Sequence, residues 1–184
     1  MLRNIKMLVL LSFLSLSFLI FTFYAPLSES GTVKPKRIYV DMVADMFHYG
    51  HAEFLKKAKA EGDYLIVGII SDEDVEGYKR RPIMTLDERA TAVANYPLVD
   101  EVIPASPLVL NEKFLKDHHI DLVIHGDDMP QEQIDIYYHV PIKMGIFKTV
   151  PYTRGISTTE LIKRIKSRDD LQRKDKKFYR QENT

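Results

Sequence analysis

Residues Tyr64–Ile70 read YLIVGII, a stretch without a charge and rich in β-branched side chains. A strand with one wet face alternates polar and apolar positions. A run that is apolar throughout belongs on the inside of a parallel sheet with helices covering both faces. The neighbouring segments supply such helices. His51–Glu61 (HAEFLKKAKAE) places Phe54, Leu55 and Ala58 on one helical face and lysines on the other, with Gly62 as the stop. Arg37–Asp41 (RIYVD) precedes it as a short strand. Asp72–Tyr78 predicts a short helix. Thr85-Leu86-Asp87-Glu88 is a capping box that opens a helix to about Asn95. Glu101–Ile103 follows as a strand, and Asn111 can cap a helix to about His118. Leu122–His125 is a strand ending at Gly126-Asp127-Asp128. Gln131–Tyr138 is a short helix stopped before Pro141, and Ile146–Val150 is a strand. Ser157-Thr158-Thr159-Glu160, a second capping box, opens a helix to about Ser167. Strand and helix alternate about five times, which predicts an α/β chain with a doubly wound parallel sheet and helices on both faces.

Composition narrows the chemistry. The chain has no cysteine, which excludes disulfide scaffolds, thiolate zinc sites, iron–sulfur clusters and a cysteine nucleophile. Lys+Arg 26 balances Asp+Glu 26, so no whole-surface attraction to nucleic acid is expected. The amino-terminal end differs from the rest. Met7 to Ser28 carries no charge, a length that as a helix spans roughly 33 Å, enough for a bilayer core. Two readings compete, an uncleaved signal anchor and a cleaved signal peptide. The Ala25-Pro26 exit is a poor cleavage site, which favours the anchor. The expected division is an anchor or signal over 1–30, a linker over 31–36, a folded domain over 37–168 and a charged tail over 169–184. Arg3 and Lys6 before the apolar run are nearly balanced by Lys34, Lys36 and Arg37 after it, which leaves orientation open.

In a sheet of this kind ligands bind where strands end and helices begin. The loop after the first strand holds Asp45 and then His48-Tyr49-Gly50-His51. Two imidazoles three residues apart share one side of a first helical turn, and Gly50 lets an anion approach the backbone at the helix N-terminus. The same string also fits two partly buried polar residues at a helix cap, or a zinc site were His125 or Asp127 to add a third ligand. No G-x-S-x-G, G-x-x-x-x-G-K-[ST] or G-x-G-x-x-G is present. Two further loops suit phosphate. Gly77-Tyr78-Lys79-Arg80-Arg81-Pro82 is basic. Tyr152-Thr153-Arg154-Gly155-Ile156-Ser157-Thr158-Thr159 offers a guanidinium and hydroxyls before a capped helix.

These segments together resemble the HxGH cytidylyltransferases that activate phospholipid head groups. The likeness runs from about Arg37 to Ile165. It rests on Asp45-Met46-Phe47-His48-Tyr49-Gly50-His51, Tyr78-Lys79, Pro82-Ile83-Met84 with Glu88-Arg89, His125-Gly126-Asp127-Asp128, and Arg154-Gly155-Ile156-Ser157-Thr158-Thr159. It departs at Met42 and Ala44, where the family usually has Gly and an aromatic residue. The resemblance implies a Rossmann-like fold, CTP as donor, Mg²⁺ bound with it, and a homodimer. It implies transfer of CMP to a phosphorylated amino alcohol, with ethanolamine phosphate favoured over choline phosphate and glycerol phosphate. The competing expectation is a membrane-tethered nucleotide-binding protein without catalysis. By analogy His48, His51, Lys79 and Arg154 are catalytic. Val43, Gly50, Gly126, Asp127, Gly155, Ser157 and Thr158 bind the nucleotide. Asp45, Asp128 and Tyr138 (or Tyr137) read an ammonium group on the acceptor. No protein-held metal is expected. Because CTP is cytoplasmic, the domain is expected on that side of the membrane, with an exported form as the alternative.

Overall fold

The computed structural model describes residues 34–172. The proposed membrane segment, the first half of the linker and the tail from 173 onward lie outside them. Among the described residues no helix is long and apolar enough to cross a membrane.

The elements in chain order are β1 (Arg37–Met42), α1 (Tyr49–Lys59), β2 (Tyr64–Ile70), α2 (Asp72–Glu76), α3 (Leu86–Ala94), β3 (Glu101–Ser106), α4 (Glu112–Asp117), β4 (Leu122–Gly126), α5 (Gln131–Tyr137), α6 (His139–Lys143), β5 (Phe147–Val150) and α7 (Thr158–Lys166), followed by a 3₁₀ turn at Asp169–Gln172. The sheet is parallel throughout, in the order β3-β2-β1-β4-β5. β1 is paired with β2 along its whole length, from Arg37↔Tyr64 to Met42↔Ile69. With β4 it pairs only at Ile38↔Leu122 and Tyr39↔Val123. The chain order reverses between these two strands, so their free carboxyl ends flank a crevice at the switch point.

Strand periodicity divides the core. Ile38 and Val40 point to one face and pack with Leu55, Ala58, Val67, Ala90 and Val93, which places α1 and α3 there. Tyr39 points to the other face, among Leu110, Leu115 of α4, Ile134 of α5 and Tyr138. β2 is buried from Leu65 to Ile70, as an apolar run on both faces requires.

Several boundaries differ from the sequence expectation. α1 begins earlier, at Tyr49, because His48 caps it. β3 extends through Pro104 to Ser106; at a sheet edge a missing N–H costs no inner ladder bond. A second helix, α6, contains Pro141, which sits in its first turn, where the amide has no intrahelical acceptor.

Candidate active site

The carboxyl ends of β1 and β4, the loops after them, and the α7 N-terminus enclose a cavity of about 600 Å³. His48 and His51 stand on its wall at the start of α1. The Nδ1 of His48 accepts the Gly50 amide at 3.1 Å, and the Nδ1 of His51 accepts the His48 amide at 3.2 Å. The two imidazoles thus form a capping box, a task usually given to Ser or Thr with Glu. Their rings stack at 3.9 Å between centroids. An Nδ1 that accepts from a backbone amide is unprotonated, so each neutral ring carries its proton on Nε2. Burial, aided by His48, pulls the His51 pKa down to about 3, and burial also lowers that of His48.

Asp45 ties three segments together. Its Oδ1 accepts the amides of Ile83 and Met84, each at 3.0 Å, and its Oδ2 accepts from Arg80 at 3.0 Å. Its carbonyl accepts the Thr158 hydroxyl at 2.9 Å. Burial alone would raise the Asp45 pKa; the amides of Met84 and Ile83 and the Arg80 guanidinium hold it below the usual value. The flanking Ala44 and Met46 have φ of 57° and 51°, a left-handed conformation that costs a side-chain-bearing residue about 1–2 kcal/mol. Asp45 is therefore occupied by its own chain. It lines the cavity and holds the β1 loop against the loop that bears Lys79. Lys79 itself lines the cavity. Val43 lines it too, and its carbonyl accepts from the fully buried Arg89 at 2.6 Å. Arg89 also bonds the Ile70 carbonyl and pairs with Asp72, fixing the ends of β1 and β2 relative to each other.

Sequence reasoning missed Asp41. It lies on β1 beyond the last β1–β4 pair, 6% exposed, and lines the cavity. Its Oδ1 accepts the Tyr138 hydroxyl at 2.6 Å and stands 4.0 Å from the His125 Nε2. Among the described residues its Oδ2 has no hydrogen-bond partner. Burial raises its pKa, opposed by His125 and Tyr138. The available signal was an acid directly after the apolar Ile38-Tyr39-Val40 run. Tyr138, expected to offer a ring to the acceptor, is buried and gives its hydroxyl to Asp41.

On the far wall Asp128 lines the cavity, with its Oδ1 only 2.5 Å from where a Cβ on Gly126 would sit. A Cβ there would push the Asp128 carboxylate aside. Asp127 turns away, and its Oδ1 accepts the Tyr152 amide at 2.8 Å; here it ties down a loop. Gly155 has φ of +91°, which favours glycine. Arg154 is exposed, between the cavity-lining Thr153 and Ser157. The Ser157 hydroxyl caps α7, accepting the Glu160 amide at 3.1 Å. Zinc chemistry at the histidines finds no third ligand: among the described residues no three His, Asp or Glu side chains come together to hold a metal.

A family model described as cytidylyltransferase-like matches residues 42–164. The chain belongs to the cytidylyltransferase-like family. It is 40% identical over 138 residues to an ethanolamine-phosphate cytidylyltransferase of Arabidopsis thaliana, covering 72% of this chain and 32% of that protein. The Mus musculus ethanolamine-phosphate cytidylyltransferase is 38% identical over 143 residues, 77% of this chain and 35% of that protein. Choline-phosphate cytidylyltransferase A of Rattus norvegicus is 41% identical over 137 residues, 72% of this chain and 37% of its own length. The chain thus spans about a third of the length of these relatives. A crystal structure of the lipopolysaccharide core biosynthesis protein from Thermoplasma volcanium GSS1 shares the fold, with a TM-score of 0.54 at 23% identity over 66% of this chain and 99% of that one. The Rossmann-like parallel sheet expected of the family is present, with helices on both faces. At the departure from the family pattern, Ala44 is fully buried and Met42 lines the cavity.

Proposed function

We propose that this chain transfers CMP from CTP to ethanolamine phosphate, releasing CDP-ethanolamine and pyrophosphate for phospholipid synthesis. The observation that carries the reading is the paired imidazoles at the α1 N-terminus, each with its Nδ1 occupied by a backbone amide. A phosphate oxygen of the acceptor attacks the α-phosphorus of CTP in line, and the bond to the β-phosphate oxygen breaks. No covalent enzyme intermediate is needed. The Nε2–H groups of His48 and His51 donate to the phosphoryl oxygens, where negative charge grows in the transition state. Being neutral and fixed, they require no reorganisation when it does. Lys79 and Arg154 compensate the triphosphate and the departing pyrophosphate, and the α7 N-terminus adds the backbone amides of Ser157 and Thr158 with the Ser157 hydroxyl, the Thr158 hydroxyl being given to the Asp45 carbonyl.

Mg²⁺ fits as a companion of CTP rather than a resident of the protein. Among the described residues the carboxylates are dispersed and form no cage, whereas phosphate oxygens and water suit this ion. Bound to the triphosphate, it neutralises the leaving group.

Asp41 supports the choice of acceptor. A buried carboxylate oxygen without a partner is costly, and an ammonium N–H satisfies it. Ethanolamine phosphate has such protons and choline phosphate has none. Asp128 adds charge at the mouth. Tethering through Met7–Tyr24 with the domain on the cytoplasmic side, and assembly as a homodimer, complete the proposal; the first rests on the uncharged run and the need for CTP, the second on the family. Pyrophosphate release by the full chain, given CTP, Mg²⁺ and a panel of phospho-alcohols, tests the function. Ethanolamine phosphate should support the fastest release, and CTP binding with no release for any member would instead indicate a nucleotide-binding protein without catalysis.

A further inference from the structure

The 151–155 segment that bears Arg154 has no regular secondary structure, and Pro151, Tyr152, Arg154 and Gly155 are exposed. Within it the Tyr152 hydroxyl donates to the Ile156 carbonyl at 3.2 Å. From outside, the Asp127 carboxylate accepts the Tyr152 amide at 2.8 Å, and the remaining ties come from α1. The Lys57 Nζ, on α1, donates to the Pro151 carbonyl at 2.6 Å and reaches the Thr153 hydroxyl at 3.3 Å. The Tyr49 hydroxyl, also on α1, donates to the Arg154 carbonyl at 3.3 Å. Both acceptors of Lys57 are neutral oxygens that any loop could present, so the bonds fix backbone position and leave the arginine side chain unhindered. The same helix carries the two imidazoles at its N-terminus. One rigid element therefore sets both the histidines and the backbone from which the guanidinium extends.

We propose that Lys57, supported by Tyr49, is a positioning residue that clasps the 151–155 backbone onto α1 and so presents Arg154 before CTP arrives. This rests on the reading of the site as a CTP site. Without the clasp the loop samples other positions, and CTP must select the competent one. Affinity falls by the fraction of time the loop is in place, while the bound complex is unchanged. The effect belongs on CTP binding and on KM for CTP, with kcat and the acceptor KM spared.

The test uses the full chain, with Lys57→Met, Lys57→Gln as a second variant in case the first misfolds, and Lys57→Arg as the conservative one. Hydrogen exchange is followed for the 152–156 amides, and CTP affinity with Mg²⁺ by calorimetry. Lys57→Met should speed exchange in that segment and weaken CTP about tenfold, a loop in place about a tenth of the time. Lys57→Arg should restore both. In an Arg154→Ala background Lys57→Met should add less than about twofold, because Lys57 acts through Arg154. Unchanged exchange in both neutral variants overturns the clasp. Faster exchange with unchanged CTP affinity also overturns it, as does an additive cycle, which would place Lys57 itself on the nucleotide. Wild-type protein that binds no CTP would contradict the functional reading instead, and the exchange comparison alone would then decide the clasp.

Discussion

The His48 amide donates to the His51 Nδ1 at 3.2 Å, so the second imidazole of the HxGH string is locked by the backbone of the first. A proton on that Nδ1 would break the bond and place a charge in a largely desolvated position. His51 should therefore remain neutral far below its ordinary value of 6.5, titrating near 3. In the unfolded chain it titrates normally. Its contribution to stability is then complete above about pH 6.5 and is lost progressively as pH falls toward 3. His48 shifts in the same direction. NMR of the ring protons should show His51 without a titration step between pH 8 and about 5. A midpoint near 6.5 would contradict the locked geometry.

Removing either imidazole should cost turnover more than fold. His48→Ala and His51→Ala are each expected to lower kcat about a hundredfold or more, the usual loss of one donor aimed at transition-state charge. His48→Ala should also lose about 1 kcal/mol of stability with its cap. His48→Asn separates the two roles. Its short amide can accept from the helix amides but cannot reproduce the ring's Nε2–H, so denaturant melts should return toward wild type while kcat does not.

The histidine string, the basic loop and the Arg154 segment could be read directly because each is contiguous and lies where a strand gives way to a helix. The roles of the acids could not be read in that way. Asp45 looks available in a list of residues, yet its oxygens face Ile83, Met84 and Arg80, about forty positions along the chain. Asp41 looks like one position of a strand. It becomes a cavity residue only because the β1–β4 ladder stops at Tyr39↔Val123 and the strands separate beyond it. Its partner Tyr138 comes from a distant turn. Pro104 and Pro141 mark ends in a one-dimensional reading, whereas an edge strand and a first helical turn accommodate them.

Asp45→Ala should act at a distance. Losing a charged acceptor with three donors costs about 1.5–3 kcal/mol, a fall in Tm of roughly 4–10 °C for a domain of this size. KM for CTP should rise as the Lys79 loop is released. A calorimetric scan with initial-rate kinetics checks both. A variant with normal Tm and a raised acceptor KM alone would return Asp45 to the acceptor site.

Asp41→Asn should affect the acceptor selectively. It keeps the shape and the bond from Tyr138 but replaces the oxygen proposed to accept an ammonium N–H with an amide NH₂ that cannot accept one. KM for ethanolamine phosphate should rise about tenfold or more, the typical worth of a hydrogen bond to a charged group. KM for CTP should stay within about twofold. Steady-state kinetics with each substrate varied in turn distinguishes this from general damage to the cavity.

The most direct measurement is one reaction containing the full chain, CTP, Mg²⁺ and equal amounts of ethanolamine phosphate and choline phosphate, with the products separated by mass spectrometry. CDP-ethanolamine should form in step with pyrophosphate and exceed CDP-choline by about tenfold, reflecting the N–H that Asp41 can accept. CDP-choline in excess would contradict the acceptor assignment, and the absence of any CDP-alcohol would contradict cytidylyl transfer itself.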